Sequence, residues 1–82
     1  MTIAAVIITK DEERNIEDCL ESVRWADEVI VVDAESRDRT VELAQRYTPK
    51  VFVRSWPGYG PQKNFGIDQA GAEWILVVDA GR

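Results

Sequence analysis

The chain has no histidine and only one cysteine, Cys19. Those two shortages remove the usual ligands of a zinc centre and the Ser-His-Asp set of a hydrolase. A lone cysteine forms no intramolecular disulfide, so a reducing setting, the cytoplasm, is expected. Long apolar runs are missing as well: no uncharged aliphatic stretch approaches the roughly 20 residues of a membrane span. The opening MTIAAVIITK carries no basic leader region and no cleavage-like site, and it reads as a strand. Cations are in the minority, with 10 Lys and Arg against 15 Asp and Glu and a net charge of −5. That balance argues against nonspecific nucleic-acid binding, which depends on neutralising phosphates. It leaves room for a small anionic ligand held by a few local cations. Two phosphate-binding signatures are also absent. There is no Walker loop, and GYG at 58–60 is not a dinucleotide fingerprint, because Lys63 takes the place of the third glycine.

What remains fits one small globular domain covering residues 1–82, with 45% hydrophobic and 30% charged residues. Thr2 to Thr9 reads as a buried strand. Ile16, Cys19, Leu20 and Val23 then recur at helical spacing, with Asp11, Glu12 and Asn15 suited to the helix cap and first turn. Val29 to Val32 is an unbroken β-branched run of the kind found in strands buried on both faces. A second helix is expected from about Asp38 to Tyr47, closed by Pro49. Val51 to Val53 is a short third strand, followed by the Gly- and Pro-rich loop SWPGYGPQ. Pro61 suits a first helical position, giving a third helix to Ala70 with Gly71 as its stop. Trp74 to Val78 is the last strand. The order β-α-β-α-β-loop-α-β predicts an α/β fold, a Rossmann-like parallel sheet flanked by helices, and the expected strand order is 3-2-1-4.

The chain is organised around EVIVVDAESRDRT, residues 28–40. Its strand runs straight into Asp33, and Trp74-Ile-Leu-Val-Val-Asp79 repeats the device. In open α/β sheets, ligands sit outside the carboxyl ends of the strands. Asp33 and Asp79 are therefore expected at one edge, on either side of the first strand's end. An Asp at a strand end is also a common turn or cap residue. Ser36, Asp38 and Thr40 are assigned to fixing the turn and the start of the second helix. Trp56 and Tyr59 are read either as base-stacking groups or as aromatics packed over a small core. Trp25 and Trp74 are assigned to the core, and Cys19 is read as inert.

Four ordered blocks, VIITKDEERNIEDCLESV, DEVIVVDAESRDRT, WPGYGPQKNFGI and EWILVVDA, resemble the opening of family 2 glycosyltransferases. They are most similar to bacterial enzymes that build lipopolysaccharide cores and other envelope glycans. The resemblance implies the nucleotide-binding half of a GT-A fold, and hence a partial GT-A fold without its acceptor half, not catalytically complete alone. It implies that Thr9 and Glu12 approach the ribose and base. Asp33 would accept a hydrogen bond from the base, and Gln62, Lys63 and Asn64 would lie near the base or diphosphate. Asp79 would be the first acid of the DxD motif. An ionised carboxylate is acceptor-only and suits a ring N–H or a sugar diol. The donor is expected to be a nucleotide-diphospho-sugar, a UDP-sugar first, with Mg or Mn as the family's ion. Asp79 is the one metal candidate, since the second acid of DxD falls at Gly81. Two readings from other classes stand beside this one. One is a noncatalytic, oligomeric module binding nucleotides or a protein. The other is a nucleotidyltransferase, against which TKDEERN lacks the expected glycine- and basic-rich loop. A homo-oligomer covering the side of the last strand is expected, because a half-domain exposes a sheet edge and an apolar face.

Overall fold

The computed structural model describes residues 1–80. Seven elements alternate along it: β1 (Ile3–Thr9), α1 (Ile16–Ser22), β2 (Glu28–Asp33), α2 (Thr40–Ala44), β3 (Val51–Val53), α3 (Tyr59–Gln69) and β4 (Trp74–Asp79). The strands form one parallel sheet, as the alternation of strand and helix patterns predicted, in the expected order β3-β2-β1-β4. β1 and β2 lie inside it, which is why their sequences are nearly continuous aliphatic runs.

Strand alternation divides the core into two layers. Ala5, Ile7 and Val31 face α1 and α2, packing with Ile16, Leu20, Leu43 and Ala44. Val6, Ile8, Ile30 and Val32 face α3, packing with Phe52, Phe65, Ile75 and Val77. α3 comes unusually close to the sheet at Gly66. A Cβ there would stand 2.4 Å from Val6 Cγ1 and 3.1 Å from Val32 Cγ2. Glycine is required at that position by space.

Three expectations need correction. The third helix begins at Tyr59, two residues before Pro61. Gly58, with φ of 115°, reverses the chain ahead of it. Pro61 then sits in the first turn, whose N–H groups have no helical partner anyway. The second helix is shorter than 38–47. Asp38 precedes it as a turn residue, and its far end tightens through Arg46 to Leu43 and Tyr47 to Ala44 bonds. Trp25 and Trp74 are not core residues, being 60% and 61% exposed. Trp74 opens an edge strand on the α1 side of the sheet, and Trp25 follows the end of α1. With Met1, Ile3 and Leu76 they line an apolar groove of about 400 Å³.

Candidate functional site

The carboxyl ends of β1, β2 and β4 meet at one edge, where Thr9 is in register with Asp33 and Ile8 with Asp79. Partners in a parallel register share a face. Asp33 therefore projects with Thr9 toward the α1 and α2 layer, and Asp79 with Ile8 toward the α3 layer. The two carboxylates share an edge, as expected, but leave it on opposite faces.

Asp33 is 0% exposed and internally engaged. Its Oδ1 accepts the Thr9 hydroxyl at 2.6 Å and the Ser36 hydroxyl at 2.6 Å, and its Oδ2 accepts the Ser36 N–H at 2.7 Å. The Arg54 N–H donates to the Asp33 carbonyl at 2.8 Å, which brings the end of β3 alongside. A buried carboxylate needs such donors, and here they organise the loop after β2.

That loop is clasped to the loop after β1. The Asp11 N–H donates to Ser36 Oγ at 2.7 Å, and the Arg37 N–H donates to Asp11 Oδ1 at 2.7 Å. Lys10 Nζ donates to the Glu35 carbonyl at 3.1 Å. The Glu12 N–H donates to Thr40 Oγ1 at 2.8 Å, and the Glu13 N–H donates to Asp38 Oδ2 at 3.2 Å. Asp38 also accepts the Thr40 hydroxyl and the Thr40 N–H. Burial alone would raise the Asp38 pKa. The Thr40 hydroxyl and the surrounding N–H donors outweigh it and hold the group below the usual carboxylate range. Asp11 and Glu35 stand at φ of 50° and 54°. Such backbone costs on the order of 1–3 kcal/mol per residue unless the surroundings fix it, and this clasp does so. Ser36, Asp38 and Thr40 thus have the structural roles assigned to them from the sequence.

Above the clasp lies a cleft of about 650 Å³. Thr9, Lys10 and Glu12 line it from the end of β1, and Asp79 and Ala80 from the end of β4. Trp56 and Tyr59 line it from the loop before α3, with Ile8 and Ala34 completing it. The structure so brings together Thr9, Glu12 and Asp79 from the expected set. Asp33 is buried and is not among the lining residues. Gln62 is 0% exposed, and neither polar atom of its amide has a hydrogen-bond partner among the described residues. Lys63 reaches Tyr59, its ammonium 5.8 Å from the ring centroid, and Asn64 is exposed on α3. Lys10 is a lining cation, paired with Asp11 at 3.8 Å. Its place immediately after β1 is the signal that finds it. Gly81 and Arg82 lie outside the described residues.

A second cleft, of about 420 Å³, opens at the amino ends of the strands. Its cations are matched by acids: Arg24 by Glu21 at 3.2 Å, Arg46 by Glu17 at 3.7 Å, and Lys50 by Glu28. Position favours the first cleft, since ligands of parallel α/β sheets bind at carboxyl ends. No group of three or more His, Cys, Asp or Glu side chains able to hold a metal occurs among the described residues. Glu12 and Asp79 do line the same cleft, which fits a Mg or Mn ion held by one or two carboxylates together with ligand phosphates. Also among the described residues, no helix is long and apolar enough to cross a membrane. Cys19 packs against the α1 and α2 layer, where burial first and Glu12 second push its thiol pKa up, which disfavours the nucleophilic thiolate.

Comparison with known proteins agrees with the geometry. The family model described as "Glycosyl transferase family 2" matches residues 4–80. An uncharacterized glycosyltransferase of Rickettsia bellii is 49% identical over 79 residues, covering 95% of this chain and 27% of that protein. The lipopolysaccharide core biosynthesis glycosyltransferase LpsC of Rhizobium meliloti is 32% identical over 85 residues, covering 98% of this chain and 32% of that protein. Among solved structures, mannosyl-3-phosphoglycerate synthase from Rubrobacter xylanophilus superposes with a TM-score of 0.86 at 19% identity. That match covers 98% of this chain and 30% of the other, and it is a likeness of fold. The chain thus spans between a quarter and a third of the length of these proteins.

Proposed function

The chain belongs to glycosyl transferase family 2, and from that premise we propose that its cleft binds the nucleoside diphosphate of a sugar donor, a UDP-sugar first. The observation that carries this reading is the meeting of Thr9, Lys10, Glu12 and Asp79 in one cleft at the carboxyl ends of β1 and β4. Glu12 offers carboxylate acceptors to the ribose and base, and the Thr9 oxygen, whose proton goes to Asp33, offers a further acceptor. Lys10 offers a cation to the diphosphate. Asp33 acts by fixing Thr9 and the Ser36 turn. Its direct contact with a base N–H, expected from the family resemblance, requires that turn to open. Gln62, Lys63 and Asn64, on α3, do not line the cleft, and a part for them in this reading rests on the buried amide of Gln62, whose hydrogen-bonding capacity no described residue uses.

A Mg or Mn ion, when bound, neutralises charge on the diphosphate. Asp79 would hold it, with Glu12 lining the same cleft, and with Gly81 at the family motif's second acid position the ion would be held weakly. Transfer of the sugar to an acceptor belongs in this reading to a larger assembly than the cleft itself. The relative named for lipopolysaccharide core biosynthesis supports a role in cell-envelope glycan synthesis, and the lone cysteine supports the cytoplasm as its setting. A second reading, an oligomeric module without catalysis, is favoured by the exposed apolar groove at Trp25 and Trp74.

The test is amide NMR of the labelled chain titrated with UDP. Shifts concentrated at Thr9 to Glu12, Ala34, Trp56 and Asp79 support the reading. Shifts concentrated at Asp27 to Val29 and Lys50 move the ligand to the other cleft and overturn it.

A further inference from the structure

The large exposed hydrophobic side chains fall mainly into two groups at opposite ends of the parallel sheet. Met1, Trp25, Trp74 and Leu76 share the apolar groove at the amino ends. Trp56, 52% exposed, and Tyr59, 44% exposed, line the cleft at the carboxyl ends. The rest of that cleft is lined by the polar or charged Thr9, Lys10, Glu12 and Asp79 and by Ile8, Ala34 and Ala80, which are buried and expose almost no apolar surface. Its broad, flat apolar surface therefore lies on the Trp56 side. The Lys63 ammonium already stands over the Tyr59 ring, which leaves the Trp56 indole as the larger open aromatic face. The indole is placed by a short, stiff segment. Pro57 and Gly58 follow it, Gly58 adopts a conformation that other residues avoid, and α3 begins at once. α3 in turn is seated against the sheet at Gly66.

We propose that Trp56 is the stacking surface for the base of the bound nucleotide, with Tyr59 bordering it. This inference rests on the nucleotide-binding reading of the cleft. Every base has a π-face, so stacking on an indole supplies affinity without choosing among bases. Choice of base then belongs to the polar edge at Thr9 and Glu12. Trp56 strengthens all nucleoside diphosphates alike and does nothing for pyrophosphate, which has no base.

The experiment uses the full chain with Trp25→Phe and Trp74→Phe, both at exposed positions, so that Trp56 is its sole indole. UDP should change the Trp56 emission saturably, at the concentrations where calorimetry on the parent chain sees binding. Trp56→Ala should weaken UDP and ADP by a similar factor, on the order of ten-fold or more. Trp56→Phe should keep most of the affinity, and pyrophosphate should bind all variants equally. Two results overturn the inference while nucleotide binding stands. One is UDP binding by calorimetry with no change in Trp56 emission. The other is a folded Trp56→Ala chain that binds UDP within about two-fold of the parent. If the parent binds no UDP at all, the nucleotide reading and this inference fall together. If Trp56→Ala does not fold, the emission of the sole-indole chain and the affinity of Trp56→Phe decide.

Discussion

The Thr9 hydroxyl donates to Asp33 Oδ1 at 2.6 Å, across the register pair that ends β1 and β2. This one bond joins two strand ends, and through Ser36 it joins the loops that form the floor of the cleft. Asp33→Ala would strand two hydroxyls and an N–H in or beside the core. Each orphaned group costs roughly 1–3 kcal/mol. Urea denaturation should show Asp33→Ala less stable by at least about 2 kcal/mol, with Asp33→Asn intermediate. A loss below about 0.5 kcal/mol would mean the loops do not depend on this carboxylate.

Gly66→Ala tests the seat of α3. Alanine is the better helix former by about 1 kcal/mol, but its Cβ would overlap Val6 Cγ1. Val6 is buried and β-branched, so it has little room to turn away. Overpacking of this kind costs about 1–3 kcal/mol, and the net effect should be a loss of stability. A Gly66→Ala chain that is more stable in urea would show that α3 stands further from the sheet.

Gln62 sits one turn before Gly66, buried, with an amide that no described residue satisfies. Gln62→Met keeps the approximate volume and removes the stranded polar group. Stability should be unchanged or higher, by up to about 1–3 kcal/mol, and UDP binding should weaken if the amide serves the ligand. A destabilisation of more than about 1 kcal/mol would show that the amide has a structural partner.

Glu28 ties the base of β2 to two neighbours. It pairs with Lys50 before β3 and accepts the Gly71 N–H at 2.9 Å before β4. Lys50 first, then the Gly71 N–H, hold its pKa below the usual glutamate range. Asp38 is also held low, because donors from Thr40 and Glu13 outweigh its burial. A carboxylate with a depressed folded pKa stabilises the fold above its unfolded pKa and loses that contribution as pH falls through the folded value. Stability should therefore be flat near neutrality and drop as pH falls below about 4. Glu28→Gln should flatten that drop. An acid limb identical in Glu28→Gln and the parent would contradict the assignment.

Much of this fold was legible in the sequence because buried parallel strands read as aliphatic runs. Val29 to Val32 and Ile75 to Val78 announced β2 and β4, and the glycine and proline clusters placed the turns between. The parallel sheet followed from the alternation of elements, which by itself is compatible with more than one strand order. The faces of Asp33 and Asp79 were not legible, because they depend on a register in which Thr9 meets Asp33 and Ile8 meets Asp79. Trp25 and Trp74 misled because hydrophobicity alone does not tell a core position from the open side of an edge strand. Lys10 was legible as a cation just after β1, but its neighbours across the cleft were not. Only the closing of the cleft by Trp56 and Tyr59 shows where it stands.

The central claim is that the cleft at the ends of β1 and β4 holds a nucleoside diphosphate. Calorimetric titration of UDP tests it, run with and without Mn²⁺ on the parent, Asp79→Asn, Glu12→Gln and Lys50→Ala. The account predicts weak, saturable binding by the parent, with little Mn²⁺ dependence because the second acid position of the family motif is Gly81. It predicts further weakening by Asp79→Asn and Glu12→Gln and no change with Lys50→Ala, whose lysine lines the other cleft. Binding unaltered by both cleft substitutions, or lost with Lys50→Ala, would contradict it.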